Sequence, residues 1–480
     1  MPLNILLILT DQQRWDSLGC YGTPGVHTPN LDRLASEGTR YSQCYVNNPI
    51  CTPSRASIWT GKHLPGHGVY RLHDVLPQDE ILFPYHLREA GYDTALFGKL
   101  HVAGHMWEMK YRHRFDGFNT YEWAPDPNGY HGCDTAYFRW LAVHHPDILE
   151  RWKRDGNRIG HVRAEAHFTT WAAERTIDYL HRMRGTHQPF FCCMSVFDPH
   201  SPYTNYPEEY RDHLDTDALP KIFATDESFD HRPIAHRRER GKGSFPSEET
   251  LHESRIGYHA GVALIDEQVG RVLQALDDTD FADNTIVIFA SDHGDMLGDH
   301  GLTVKGAFMY DACTRVPMII RVPGEPGGQT TNAPCQLHDI AATALNIAEC
   351  DGADIIEQMP DSRDLFNINA LQERGHAVCM HRNSSIVKGG YHDPPLHITM
   401  WREDRYKLSV YHAPEPGPDD CPGELFDLET DPHEMNNLWY DADAQDTRDQ
   451  LIHKLTSFLV QQDAQGRARG GQALPPGFGG

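Results

Sequence analysis

Three uninterrupted apolar runs constrain this chain most: 4–10 (NILLILT), 189–197 (PFFCCMSVF) and 285–290 (TIVIFA). A strand that is apolar on both faces has no side to give to water, so it belongs inside a sheet covered on both sides. Each run is too short to be a bilayer span, and its β-branched and aromatic content favours a strand over a buried helix. Residues 94–98 and 316–322 read as further strands. Between the strands lie helical patterns at 31–37 (with Asn30 as its N-cap), 84–90, 164–183 and 256–276. The last of these carries Val262, Ile265, Val269, Val272 and Leu276 on one face. Such alternation predicts an α/β fold, a large and mostly parallel sheet sandwiched by helices. Residues 103–160 and 204–250 show no clear period and read as long irregular segments.

With 480 residues, of which 39% are hydrophobic, the chain can build one large domain and a smaller one. The expected division is a catalytic domain over 1–350 and a C-terminal α+β subdomain over 351–463. The latter would hold an antiparallel sheet and a closing helix at 447–461, with Asp446 as N-cap. The tail 464–480 is poor in apolar residues and reads as disordered, or else as an arm on another copy in a homo-oligomer.

A net charge of −25 excludes nucleic acid and anionic membrane as main partners. The 11 cysteines lack repeated C-x-x-C spacing and read as reduced thiols. No signal peptide or membrane span is visible, which predicts a cytoplasmic protein.

The polar residues with chemical potential fall in one kind of place. Asp11-Gln12, Lys99 with His101, His200, and Asp292-His293 each follow a predicted strand, the position where open α/β sheets bind ligands. Asp11, Gln12 and Asp292 offer hard oxygen ligands for Ca²⁺ or Mg²⁺, with Mn²⁺ as a third choice. Lys99, His101, His200 and Lys305 supply donors for an anion. The segment CTPSRASIWTG (51–61) adds Cys51 on a loop, before a helix expected to start near Ser54, and Arg55 as a permanently charged fork. A divalent ion, a basic ring and a helix N-terminus together describe a site for a sulfuryl or phosphoryl group. Local positive charge thereby coexists with an acidic chain.

The pattern C-x-P-S-R-x-x-x-x-T-G at 51–61 resembles the signature of type I sulfatases in the alkaline phosphatase superfamily. Further segments resemble family motifs in the family's order: NILLILTDQQRWDSLGCYG (4–22), GYDTALFGKLHVAG (91–104), FDPHSPY (197–203), TIVIFASDHGDMLGDHGLTVKG (285–306) and ELFDLETDPHEMNNL (424–438). The resemblance implies an alkaline-phosphatase-like fold and sulfate monoester hydrolysis. It also implies that a separate formylglycine-generating enzyme oxidises Cys51 to formylglycine. Its hydrate would attack sulfur to give a covalent sulfo-enzyme, and its second hydroxyl would release sulfate by re-forming the aldehyde.

The same resemblance places Asp11, Gln12, Cys51, Asp292 and His293 at the divalent metal, with His293 as ligand or just outside. Arg55 would hold the formylglycine, and Lys99, His200 and Lys305 would neutralise the transferred group. His101, with an ordinary imidazole pKa near ~6.5, would take the proton in the release step. Protonation of the leaving group falls to His200 or Lys305. Many relatives carry Asp-Asp where this chain has Asp11-Gln12. The carboxamide leaves the cation less neutralised and moves preference from Ca²⁺ toward Mn²⁺. It also resembles phosphonate monoester hydrolases, so a phosphonate monoester or phosphodiester is the alternative small-molecule substrate. A catalytically inactive relative that binds a sulfate or phosphate ligand is the second alternative. Substrate choice is expected from 103–135 and the segment Tyr70 to His73, with Arg71, His105, Trp107 and Tyr130 as candidates.

Overall fold

The computed structural model describes residues 2–127, 134–156, 160–223, 246–350, 358–384, 395–412 and 422–466. The strands of its first half are β1 (Asn4–Thr10), β2 (Thr39–Tyr41), β3 (Cys44–Tyr45), β4 (Asp93–Gly98), β5 (Thr120–Trp123) and β6 (Phe190–Ser195). β7 (Thr285–Ser291), β8 (Met318–Arg321), β9 (Gln329–Thr331) and β10 (Cys335–Gln336) follow. The C-terminal strands are β11 (His376–Arg382), β12 (His397–Glu403), β13 (Tyr406–Tyr411) and β14 (Gly423–Asp427).

An eight-stranded sheet runs in the order β5-β4-β6-β1-β7-β8-β2-β9. β5, β4, β6, β1 and β7 run parallel to one another, and β8 pairs antiparallel with both β7 and β2. The predicted mostly parallel sheet is therefore present, with an antiparallel strand toward one edge. β1 shows why its sequence is apolar throughout. Ile5, Leu7 and Leu9 enter the core on one face, while Leu6 and Ile8 enter the core on the other. Removing each such side chain from water contributes roughly 1.5–3 kcal/mol. The 31-residue helix Glu248–Asp278 and the helix Phe168–Met183 cover the second face. The helices Cys51–Thr60, Phe83–Glu89 and Asp339–Ile347 cover the first.

The smaller antiparallel sheet, β11-β12-β13-β14, packs against the helix Gln445–Gln465 through Trp401, Leu408, Leu425, Leu451 and Leu455. Lys407 in β13 ties this sheet to the larger body, with Nζ 2.7 Å from Asp311 Oδ1, and pairs at the same distance with Glu434 Oε1 beyond β14.

Local expectations needed correction at four points. The first helix is Pro29–Glu37 with Thr28 as N-cap, because proline at the first helical position needs no N–H partner. Asn30 instead donates its amide to Asp266 Oδ2 at 2.9 Å. The C-terminal helix starts at Gln445 directly after the 3₁₀ turn Ala442–Ala444, so Asp446 lies in its first turn and is not the cap. Within the segment read as irregular, Ala136–His144 and Pro146–Asp155 are helices that bury Tyr137, Trp140, Ile148 and Trp152. The helix at the signature starts at Cys51, three residues earlier than predicted. Pro53 lies in the first turn, where a missing N–H costs nothing, so the helix continues back through it. The tail beyond 466 lies outside the described residues. Among the described residues, no helix is long and apolar enough to cross a membrane.

Candidate active site

Four adjacent parallel strands, β4, β6, β1 and β7, deliver the predicted groups from the same edge of the sheet. Asp11 and Gln12 follow β1, Lys99 and His101 follow β4, His200 stands beyond β6, and Asp292 and His293 follow β7. Gly98 lets the chain turn there. It has φ +114°, and a Cβ would sit 1.8 Å from the Ser195 carbonyl. Gly294 permits a close backbone approach after β7, where a Cβ would lie 2.0 Å from the Ala312 carbonyl.

Cys51 is the first residue of its helix, buried, with its Sγ at the convergence of these loops. His293 Nε2 lies 3.1 Å from Sγ, Lys305 Nζ 3.0 Å and Asp11 Oδ1 3.7 Å. Burial and Asp11 push the thiol pKa up, but Lys305 and Lys99 outweigh them and leave it below the ordinary cysteine value. Arg55, one turn on and wholly buried, holds the carboxylates in place. Its Nε donates to Asp292 Oδ2 at 2.6 Å and its Nη2 to Asp11 Oδ2 at 3.2 Å. Nη1 donates to the Lys99 carbonyl and to Ser195 Oγ, both at 2.9 Å. Burial alone would raise the Asp11 pKa. Lys99, whose Nζ donates to Oδ2 at 2.5 Å, together with Lys305, His200 and Arg55 holds it well below the usual carboxylate range.

Donor atoms of Asp11, Cys51, Asp292 and His293 all lie within 4.8 Å of one another. Two carboxylates, an imidazole nitrogen and a thiol at that spacing fit a divalent cation. His293 Nδ1 contacts the Gly294 carbonyl at 2.9 Å, so that nitrogen carries the proton and Nε2 faces the cluster with a lone pair. Burial lowers the His293 pKa to about 4 and keeps the ring neutral. Gln12 is linked to this group through Lys305, whose Nζ donates to Gln12 Oε1 at 2.7 Å and to Cys51 Sγ at 3.0 Å.

His200 Nδ1 contacts the Ser201 carbonyl at 2.6 Å, and its Nε2 lies 2.8 Å from Lys305 Nζ. The ring is therefore an acceptor for Lys305 on its inner side. His101, at φ +61°, is buried, with Nε2 3.0 Å from Thr52 Oγ1. Thr52 donates its own proton to the Leu72 carbonyl at 2.6 Å, so His101 Nε2 is the donor in that contact and Nδ1 carries the lone pair. The ordinary imidazole pKa expected for His101 is not retained. Burial first, then Lys99, His105 and Arg55, hold it well below that value.

All ten predicted site residues converge here. A cleft of about 1220 Å³ opens from Cys51, Gln12, Lys99, His101, His200 and Lys305 toward Tyr70, Arg71, His73, His105 and Trp107. The specificity candidates Arg71, His105 and Trp107 thus line it, whereas Tyr130 lies outside the described residues. Sequence reasoning missed several supports. Glu108 accepts from the backbone N–H groups of His101 (3.2 Å), Val102 (2.6 Å) and Ala103 (3.2 Å), and from Trp123 Nε1 at 2.9 Å. Ser195, Thr52, Tyr203 and Asp295 were likewise unmarked. Asp295 alone carried a signal, as the second acid of SDHGD.

The Sulfatase family profile matches residues 3–350. The chain belongs to the sulfatase family. A second profile, the C-terminal region of N-sulphoglucosamine sulphohydrolase, matches residues 298–461 of this sulfatase. The enzyme is 30% identical over 472 residues to the uncharacterized sulfatase YidJ of Escherichia coli (strain K12), covering 95% of this chain and 87% of that one. It is 29% identical over 462 residues to an arylsulfatase of Clostridium perfringens (strain 13 / Type A), covering 91% and 90%. A solved structure of the phosphonate monoester hydrolase of Agrobacterium radiobacter matches with a TM-score of 0.75, over 96% of each chain at 24% identity, a likeness of fold. This sulfatase is a sulfuric ester hydrolase of the alkaline phosphatase superfamily.

Proposed function

We propose that this sulfatase cleaves sulfate monoesters to an alcohol or phenol and sulfate, with Cys51 as the precursor of its nucleophile. The observation that carries the reading is the position of Cys51 Sγ, inside the same 4.8 Å cluster as the Asp11, Asp292 and His293 donors and at the floor of the cleft. Asp11, Asp292 and His293, with Gln12, would hold a divalent cation that polarises the sulfuryl oxygens and stabilises an ionised nucleophile. Oxidation of Cys51 to formylglycine by a modifying enzyme, followed by addition of water to that aldehyde, would supply a hydroxyl that attacks and a second one that permits release.

The chain's own groups do the rest. Lys99 and Lys305 neutralise the charge of the bound sulfuryl group. Arg55 is fully engaged with Asp11, Asp292 and Ser195, so it orients the carboxylates and not the substrate. Lys305 and His200 share a hydrogen bond at 2.8 Å and act as one unit. A proton on Lys305 Nζ goes to the leaving oxygen, while His200 Nε2, which accepts from Nζ, orients the ammonium, and solvent returns the proton to Nζ. Neutral His101 takes a proton on Nδ1 during release.

A second reading, a phosphonate monoester or phosphodiester hydrolase, is favoured by one observation. The first metal loop presents a neutral carboxamide, Gln12, to Lys305, which suits any singly charged anion. The test is a parallel assay of an aryl sulfate, an aryl phosphonate monoester and an aryl phosphodiester on one metal-defined preparation. The highest kcat/KM is expected for the sulfate. A higher value for either phosphorus ester would establish the second reading, and binding of all three without turnover by oxidised enzyme would reduce the protein to a binding relative.

A further inference from the structure

Gln12 is buried between two groups of opposite hydrogen-bonding character. Its backbone is fixed at φ +67°, with the N–H donating to Asp292 Oδ1 at 3.1 Å and the carbonyl accepting from Tyr258 OH at 2.8 Å. A carboxamide has two ends of nearly equal size, so its orientation follows from its partners. On one side stands Lys305 Nζ, which can only donate, 2.7 Å from Oε1. On the other stands Asp295, whose Oδ2 accepts from Gln12 Nε2, with Tyr203 OH 3.5 Å from the same nitrogen. Reversing the amide would set Nε2 against an ammonium and Oε1 against a carboxylate.

Asp295 is itself fully buried. Tyr203 OH donates to its Oδ2 at 2.5 Å and Leu297 N–H to its Oδ1 at 2.9 Å. With the Gln12 amide these are three neutral donors, and a buried carboxylate depends on each of them. A carboxylate at residue 12 would remove one donor and set a second charge against the first, with no proton between them.

We infer that Asp295, assisted by Tyr203, is the positioning residue that turns the Gln12 carboxamide oxygen toward the Asp11–Cys51–Asp292–His293 cluster, and that its charge dictates a carboxamide at residue 12. The orientation, with Oε1 on Lys305 Nζ and that Nζ 3.0 Å from Cys51 Sγ, stands on geometry alone. Its use, a neutral oxygen ligand for the cation, rests on the proposed metal site.

The test is a double-mutant cycle of Gln12→Asp, Asp295→Asn and the pair, read as apparent melting temperature in chelator and as Mn²⁺ affinity by calorimetry. In chelator, Gln12→Asp is expected to melt about 4 °C below wild type, and the pair to recover more than half of that loss. A Gln12→Asp melting temperature equal to wild type, or a pair whose loss is the sum of the singles, overturns the inference. If Gln12→Asp fails to fold in both backgrounds, Asp295→Asn decides. About 10-fold weaker Mn²⁺ binding is expected once the amide is free to turn, and unchanged affinity overturns it. Wild-type protein that binds no divalent ion, with the coupling in chelator intact, would refute the metal reading and leave the Asp295 assignment standing.

Discussion

Cys51 Sγ and His293 Nε2 lie 3.1 Å apart at the point where the end of β7 meets the N-terminus of the signature helix. The contact follows from the other side of the ring, where Nδ1–H is committed to the Gly294 carbonyl. A ring held this way presents an unprotonated nitrogen to the cluster at any pH well above about 4. His293→Ala is therefore expected to weaken Mn²⁺ or Ca²⁺ binding by at least about 10-fold in a calorimetric titration. Unchanged affinity would remove His293 from the ligand set.

Arg55 is the only group that touches both Asp11 and Asp292 through its guanidinium among the described residues, and all three are fully buried. Removing it leaves two carboxylates without their shared counter-charge. Arg55→Ala should cost about 3–5 kcal/mol in urea denaturation. Arg55→Lys should still lose activity, because one ammonium cannot reproduce four directed N–H bonds. A Lys variant with wild-type stability and kcat would contradict the orienting role.

Glu108 predicts a pH dependence. Burial pushes its pKa up to about 7 from 4.5, against the pull of Trp123 and of three backbone N–H groups. The native state thus holds a proton that the unfolded chain has lost. Its contribution makes stability fall as pH rises from about 4.5 to about 7, and level off above. Glu108→Gln should flatten that part of the denaturation midpoint against pH, relative to wild type. It should also lower kcat more than it raises KM, since the Glu108 carboxyl group fixes the 101–103 backbone that carries His101. An unchanged slope would mean that Glu108 titrates normally.

Cys51→Ala should leave the fold intact and abolish turnover. Alanine is a strong helix former, and this helix has no side-chain cap to lose, so a change in stability of about 1 kcal/mol is expected. Circular dichroism and an aryl sulfate assay on the same sample check both halves.

The fold was legible because its central strands are apolar on both faces. NILLILT and TIVIFA admit few other readings, and both appear as adjacent parallel strands. The site was legible for a related reason, since Asp11, Lys99 and Asp292 stand at strand ends that parallel packing brings together. The start of the signature helix was not, because Pro53 reads as a barrier and only the fold shows that it occupies a tolerant first turn. His101 had an ordinary pKa on paper, since nothing local in the sequence announces burial beside Lys99 and Arg55. Glu108 escaped notice because its partners are mainly backbone amides, which leave no periodic or compositional trace. Asp295, although it stands as the second acid of SDHGD, has side-chain partners in Gln12 and Tyr203 that only the fold brings to it. The helices at 136–155 were hidden by a local composition rich in His and Pro, although their buried Trp and Tyr residues supplied the packing.

The central claim is that Cys51 is the precursor of the nucleophile and not the nucleophile itself. Peptide mass spectrometry of the fragment containing Cys51, on natively expressed protein whose activity toward an aryl sulfate has been measured, tests it most directly. The account predicts that active protein carries an aldehyde in place of the Cys51 thiol, and that specific activity rises in proportion to the converted fraction. Full activity in protein whose Cys51 is entirely unmodified would contradict it.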